Sequence, residues 1–174
     1  MHIHQATSAD IEDLTVLFDA YRQFYGQAPS PMAAAAFLAE RLANRESVIF
    51  LARSETGEAI GFIQLYPAFS SVAMKRMWYL NDLFVAASAR QQGIARALLK
   101  RVATFARETD ALTVKLATAA SNLPAKALYE SQGYQKVVAF DHYTQRVESC
   151  RQKHLPSLAY DGGHVTTITQ GEKY

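Results

Sequence analysis

A chain of 174 residues, 49% hydrophobic and 20% charged, has the length of one domain, can bury a sizeable core and gives no reason to expect disorder across its main body. Its net charge of +2 is too small to argue for nucleic acid as a partner, and a single cysteine, Cys150, excludes an internal disulfide and fits a reducing compartment. Residues 1–10 lack a basic stretch followed by an apolar one, and nowhere is there a run of about 18 apolar residues. The expectation is a cytoplasmic protein with no membrane partner.

Ile3 and Gln5 can begin a short strand. Thr7-Ser8-Ala9-Asp10 offers N-cap chemistry with an acid in the first turn. Ile11, Leu14, Leu17, Phe18, Tyr21 and Tyr25 then recur at three- and four-residue steps, an amphipathic helix that ends near Gly26. Pro29 and Pro31 punctuate a turn before a second helix, Met32 to Ala43, with Phe37, Leu38 and Leu42 on its apolar side. Ser47 to Arg53 and Ala59 to Tyr66 read as antiparallel strands joined by a turn at Glu55-Thr56-Gly57-Glu58, the second one ending before Pro67. Phe69 to Lys75 reads as a loop and Met77 to Val85 as a long strand. A third helix, Arg96 to Arg107, turns Ala97, Leu98, Val102, Phe105 and Ala106 inward.

Val114 to Ala117 supplies the next strand. Pro124 sits near the start of a helix that carries Ala127, Leu128 and Tyr129 and that Gly133 stops. Tyr134 to Val138 and Phe140 to Gln145 supply late strands. Antiparallel strands first and one parallel crossover later imply an α/β fold: a mixed, mostly antiparallel central sheet with helices on both faces. Residues 148–174 form a C-terminal extension beyond what this architecture requires, broken by Pro156, Gly162 and Gly163. Val165 to Thr169 alternates well enough for an edge strand, so the extension is either loosely ordered or an arm that covers a sheet edge or contacts a second subunit.

The loop Arg90-Gln91-Gln92-Gly93-Ile94-Ala95 opens directly into the third helix. A helix start exposes unpaired N–H groups at the positive end of the helix dipole, and Gly93 lets the backbone approach a ligand closely, so the junction is a prepared anion site. It is neither a P-loop, lacking G-K-[ST], nor a dinucleotide fingerprint, lacking G-x-G-x-x-G after a strand. The loop fits the pattern Q/R-x-x-G-x-G/A. Together with Asn122-Leu123-Pro124-Ala125, Leu128-Tyr129-Glu130 and Gly133-Tyr134, it resembles the GNAT superfamily of N-acetyltransferases, the diamine acetyltransferases among them, over residues 1–147.

That resemblance implies acetyl-coenzyme A as acetyl donor, a primary amine of a small molecule or peptide as acceptor, no metal, and a homodimer. Gln91, Gln92, Gly93, Ile94, Ala95 and Arg96, with Arg90 at the head of the loop, inherit the pyrophosphate. Leu83, Phe84 and Val85 inherit the pantetheine arm, which hydrogen-bonds a strand splayed from its parallel neighbour, with an N–H left near the developing oxyanion. Asn122 and Ala125 flank the pantetheine. Tyr129, about two helical turns beyond Asn122, points at the coenzyme A sulfur as general acid, a task that suits a phenol because it stays protonated near neutral pH. Without the resemblance, Tyr129 reads as a core aromatic.

An attacking amine must first lose a proton, and the candidates at the centre of the long strand are Asn81 and Asp82. Relatives such as the diamine acetyltransferases often carry Glu where this chain has Asn81, and an amide is no base, which weakens a polyamine assignment. Strand alternation puts Asn81 and Asp82 on opposite faces, so that only one of them looks into the substrate cleft. Asp82 can equally be structural, with ordered water carrying the proton. Tyr21, Phe24 and Tyr25 cluster at the end of the first helix, where they either pack the core or line an acceptor pocket, Tyr25 above all. His2, His4, His154 and His164 lack ligand spacing, so no metal site is expected. The competing function is a non-catalytic acyl-coenzyme A binding module.

Overall fold

The computed structural model describes residues 1–145 and 147, and the backbone of 158–161 and 164–167. The elements in chain order are β1 (His2–Gln5), α1 (Ile11–Phe24), α2 (Pro31–Ala43), β2 (Val48–Arg53), β3 (Ala59–Ser70), β4 (Lys75–Val85), α3 (Ile94–Glu108), β5 (Val114–Leu116), α4 (Leu123–Ser131), β6 (Leu158–Asp161) and β7 (His164–Thr167). β1 to β5 form one sheet in sequence order, antiparallel from β1 to β4 and parallel between β4 and β5. The mixed, mostly antiparallel sheet is the expected one.

Alternation along the strands sorts the core into two layers. Ile49, Leu51 and Phe62 pack with Leu14, Leu17 and Phe18 of α1 and with Leu38 of α2. Phe50, Ile63, Leu65, Trp78 and Leu80 pack with Leu98, Leu99 and Val102 of α3 on the opposite face. Each such enclosed side chain contributes roughly 1.5–3 kcal/mol. The chain enters α1 through a capping box: Thr7 Oγ1 accepts from the Ala9 N–H at 3.3 Å, and the Thr7 N–H donates to Asp10 Oδ2 at 3.0 Å.

Three expectations are corrected. β3 does not stop before Pro67 but runs to Ser70, and β4 begins at Lys75, so the connecting loop is only 71–74. Proline is tolerated there because the β2 ladder ends at Val48↔Leu65, leaving no strand beside Pro67 on that side to need its missing N–H. Tyr134 to Gln145 carries no strand, and Val138, Phe140 and Tyr143 are 81%, 73% and 91% exposed. Alternation alone makes no strand without a neighbouring ladder, and β5 is three residues long and paired to β4. The alternating segment near Val165 pairs with β6 in a separate hairpin rather than joining the edge of the main sheet. Residues 168 and 169 and the rest of the extension, Cys150 included, lie outside the described residues.

One irregularity positions the site. Between Leu65↔Leu80 and Gln64↔Asp82 the ladder holds one extra β4 residue, Asn81, which makes a β-bulge. The bulge shifts the phase of the strand: Trp78 and Leu80 face α3, and so do Leu83 and Val85, whereas Phe84 faces α1.

Candidate active site

β4 and β5 pair only from Trp78↔Val114 to Leu80↔Leu116. Beyond Leu80, β4 continues to Val85 with β3 on one side and, among the described residues, no strand on the other, so Leu83, Phe84 and Val85 line an open wedge. Alternate residues of such a strand turn their N–H and C=O groups into the gap. The Val85 carbonyl is already engaged, accepting from Arg90 Nε at 3.2 Å. The Arg90 guanidinium also sits over the rings of Phe24 and Phe84, each at 5.8 Å, which braces the loop against the ends of α1 and β4. β3 must approach closely here, because a Cβ on Gly61 would lie 2.8 Å from the Phe84 carbonyl oxygen.

Below the wedge, Gly93 caps α3 in the left-handed region at φ 81°, and Gln91 is also left-handed at φ 62°. The first helical bond runs from the Ala97 N–H to the Gly93 carbonyl at 3.0 Å. The N–H groups of Ile94, Ala95 and Arg96 therefore have no acceptor within the helix, and no acid stands in the first turn to compete with an anion. Gln91, Gln92 and Arg96 are exposed around this cradle, with Gln92 Nε2 tied to the Ser88 carbonyl at 3.2 Å.

On the α1 face the bulge overturns the expected separation of Asn81 and Asp82. Asn81 Nδ2 donates to Asp82 Oδ1 at 3.0 Å, so both side chains serve one place. Asp82 is 4% exposed. No cation among the described residues pairs with it: burial pushes its pKa up, and the hydrogen bonds from Asn81 and from the Tyr21 hydroxyl pull it back only in part. Tyr25 from α1 and Tyr66 from β3 also face this carboxylate. Tyr21 and Tyr25 meet edge to face at 5.0 Å, and Tyr21 packs against Phe62 and Phe84 at 6.1 Å each.

Asn122 caps α4 by accepting from the Ala125 N–H at 3.3 Å, with Pro124 in the first turn, so the N-x-P-A pattern is first a helix start. About two turns beyond Asn122, Tyr129 meets Tyr134 at 5.8 Å and faces Tyr25. Burial, with Tyr25 and Tyr134 adding to it, pushes its phenol up to about 12. Tyr129 and Asp82 thus both face Tyr25, one from α4 and one from β4.

Two residues that line this place escape the sequence reading: Gln64, fully buried, and Tyr66. The available signal was Gln64 itself, a polar residue inside the apolar run Ile60 to Leu65, since a buried polar side chain persists in a core only with a partner or a task. Among the described residues, no group of three or more His, Cys, Asp or Glu gathers in a way that could hold a metal, and no helix is long and apolar enough to cross a membrane.

A sheet that opens beside a helix start shaped for an anion, with helices on both faces, is the site geometry of an α/β protein that binds an anionic ligand along a strand edge. The comparisons agree: the profile of the acetyltransferase (GNAT) family matches residues 14–134, and the chain belongs to that family. It is 46% identical over 147 residues to the uncharacterised N-acetyltransferase YhfO of Bacillus subtilis (strain 168), covering 84% of this chain and 98% of that one. The crystal structure of a probable acetyltransferase matches with a TM-score of 0.82 at 41% identity, over 86% of this chain and 99% of that one. A predicted acetyltransferase from Clostridium acetobutylicum, crystallised with acetyl-coenzyme A, shares the fold with a TM-score of 0.66 at 18% identity, over 82% and 95% of the two chains. The chain is therefore an acetyltransferase; the matches carry the family and not the diamine-acetyltransferase subtype.

Proposed function

We propose that the protein transfers the acetyl group of acetyl-coenzyme A directly to a primary amine of a small molecule or peptide, as a cytoplasmic homodimer. The observation that carries this reading is Asp82, a buried carboxylate on the strand that borders the wedge, faced by Tyr21 and Tyr25 and with no cation beside it among the described residues. A carboxylate so placed is a stronger base than an exposed one and is suited to take a proton from an incoming ammonium.

The donor fits the residues present. The free N–H groups at Ile94, Ala95 and Arg96 suit its pyrophosphate, and the unpaired edge of Leu83 and Phe84 suits the amides of its pantetheine arm. When bound, the donor supplies an acetyl thioester. Asp82 takes the proton of the amine, Asn81 holds the carboxylate in place, and Tyr21 and Tyr25 line the approach of the acceptor. Tyr129 keeps its proton across the neutral range, because its phenol is raised to about 12. A thiol titrates near 8.5, so the phenol acts as a hydrogen-bond donor that stabilises the departing sulfur rather than as a group that ionises fully.

The test is release of free thiol from acetyl-coenzyme A in the presence of alkylamines, polyamines, amino acids and peptide N-termini. Release with at least one amine, together with the N-acetylated product by mass, is the expected result. Tight binding of acetyl-coenzyme A with no release above background for any amine would leave a non-catalytic binding module.

A further inference from the structure

Two buried polar groups on the α1 face of the sheet stand out: an amide oxygen with no hydrogen-bond partner, and a carboxylate with no cation beside it among the described residues. Gln64 is completely enclosed; its Nε2 donates to the Tyr66 hydroxyl at 3.1 Å, while its Oε1 is buried with no hydrogen-bond partner. Native cores seldom leave such an acceptor without a donor, because the desolvation of the group is then uncompensated. Asp82 is the second. The groups that face it are Asn81 from its own strand, Tyr21 and Tyr25 from α1, and Gln64 and Tyr66 from β3, none of them a cation.

The register puts Gln64 directly opposite Asp82, at the step next to the bulge. Side chains paired across antiparallel strands have Cβ atoms about 4.5–5.5 Å apart, within reach of a carboxyl and an amide. Tyr66 decides which end of the amide remains, since it takes Nε2 and leaves the carbonyl.

We propose that Gln64 is a positioning residue for Asp82: its Oε1 accepts a hydrogen bond from the carboxyl of Asp82 once that group has taken the proton of the acceptor amine. This inference rests on the reading of Asp82 as the base. One proton leaves the ammonium nitrogen for a carboxyl oxygen of Asp82 before the attack; as the new C–N bond forms and the C–S bond breaks, the nitrogen gives up a second proton to the departing sulfur, which leaves as the thiol of coenzyme A. The protonated carboxyl oxygen donates to Gln64 Oε1, while the other still accepts from Asn81 Nδ2, and the Asp82 proton passes to solvent once the product has left. In the ionised state the negative end of the amide faces the carboxylate; in the protonated state the same atom is satisfied. Both effects favour the proton on Asp82 and strengthen it as a base, and the same hydrogen bond gives the Gln64 carbonyl its missing donor.

The ionisation of Asp82 can be followed directly by carbon-13 NMR of labelled aspartate carboxyls, its signal assigned with Asp82→Asn. The comparison uses wild type, Gln64→Met, which keeps side-chain length and removes the acceptor, and Tyr66→Phe, which keeps Gln64 but frees its amide to turn Nε2 toward the carboxylate. The Asp82 midpoint is expected to fall by about one pH unit in Gln64→Met, a tenfold change in ionisation constant, and to fall in Tyr66→Phe as well. The acid limb of kcat/KM should move down with it and the plateau rate should drop several-fold. A midpoint that stays or rises would overturn the proposal, because the amide would then present its N–H to Asp82 or not touch it. If Gln64→Met does not fold, Tyr66→Phe decides. The NMR midpoint needs no turnover, so a midpoint that falls in a protein releasing no thiol would refute acetyl transfer and leave the pairing standing. An unmoved midpoint in an active enzyme would refute the pairing alone.

Discussion

Asp10 and Asp82 are both buried carboxylates, 9% and 4% exposed, and their surroundings are opposite. At Asp10, burial works to raise the pKa, but the Thr7 N–H, the Arg53 guanidinium at 2.9 Å and His4 at 3.0 Å outweigh it and hold the carboxyl well below the ordinary carboxylate range. Arg53 also pairs with Asp13 at 2.7 Å, which ties β2 to the first turn of α1. At Asp82, burial meets only an amide and a phenol, and the pKa stays raised. A carboxylate that anchors the fold is surrounded by donors and cations; one left without them contributes no stability when ionised and is available for proton transfer.

The largest effect expected to sharpen this contrast is that of Asp82→Asn, which should lower kcat/KM for thiol release by about 10²–10⁴-fold. A loss of less than threefold would remove Asp82 as the base. The same substitution should not lower stability at neutral pH. Folding raises the Asp82 pKa above 3.8, so the cost of its ionised form is absent below that value and enters as pH rises through the interval up to the folded pKa. Wild type and variant should therefore melt alike in acid, with the variant the more stable at pH 7.

Tyr129→Phe should lower kcat roughly 10- to 100-fold, the worth of one hydrogen bond to a developing anion, with acetyl-coenzyme A affinity by calorimetry changed less than about threefold. Equal losses in kcat and affinity would move Tyr129 from chemistry to packing.

Asp10→Asn is expected to behave in the reverse way to Asp82→Asn: about 1–3 kcal/mol lost in urea denaturation at pH 7, with turnover per folded molecule unchanged. Here the folded pKa is depressed below 3.8, so the stabilisation is present above that value and lost as pH falls through the folded pKa, where variant and wild type should converge. A deficit independent of pH would show that packing, not charge, ties down the start of α1.

The smallest effect expected is that of Gly93→Ala. A Cβ there meets nothing within 4 Å, so the cost is the left-handed backbone at φ 81°, about 1–2 kcal/mol, seen as a lower melting temperature and a several-fold higher KM for acetyl-coenzyme A. An unchanged KM would show that the cradle does not need this conformation to receive the phosphates.

What could be read in advance follows the same division. The cradle at Gly93 to Arg96, the cap at Asn122 and the helix that carries Tyr129 are local: a glycine, a capping amide and a 3.6-residue period act within a few positions of themselves. The apolar pattern also gave the buried face of the third helix, where Ala97, Leu98, Val102, Phe105 and Ala106 were expected inward and Leu98, Val102 and Ala106 are buried in the core. It misled at Tyr134 to Gln145, where no ladder supports the pattern, and at Pro67, where a missing neighbour excuses the proline.

The sequence by itself determined an α/β domain with an anion cradle, and through its resemblance to a family an acetyltransferase, since the motifs reside in single turns and short runs. Only the tertiary structure decided that Asn81 hydrogen-bonds Asp82 and that Tyr21, Tyr25 and Tyr66 face that buried carboxylate. A bulge is a mismatch between two strands and burial is a property of the packed layers, and neither exists in any one segment before the strands and α1 meet.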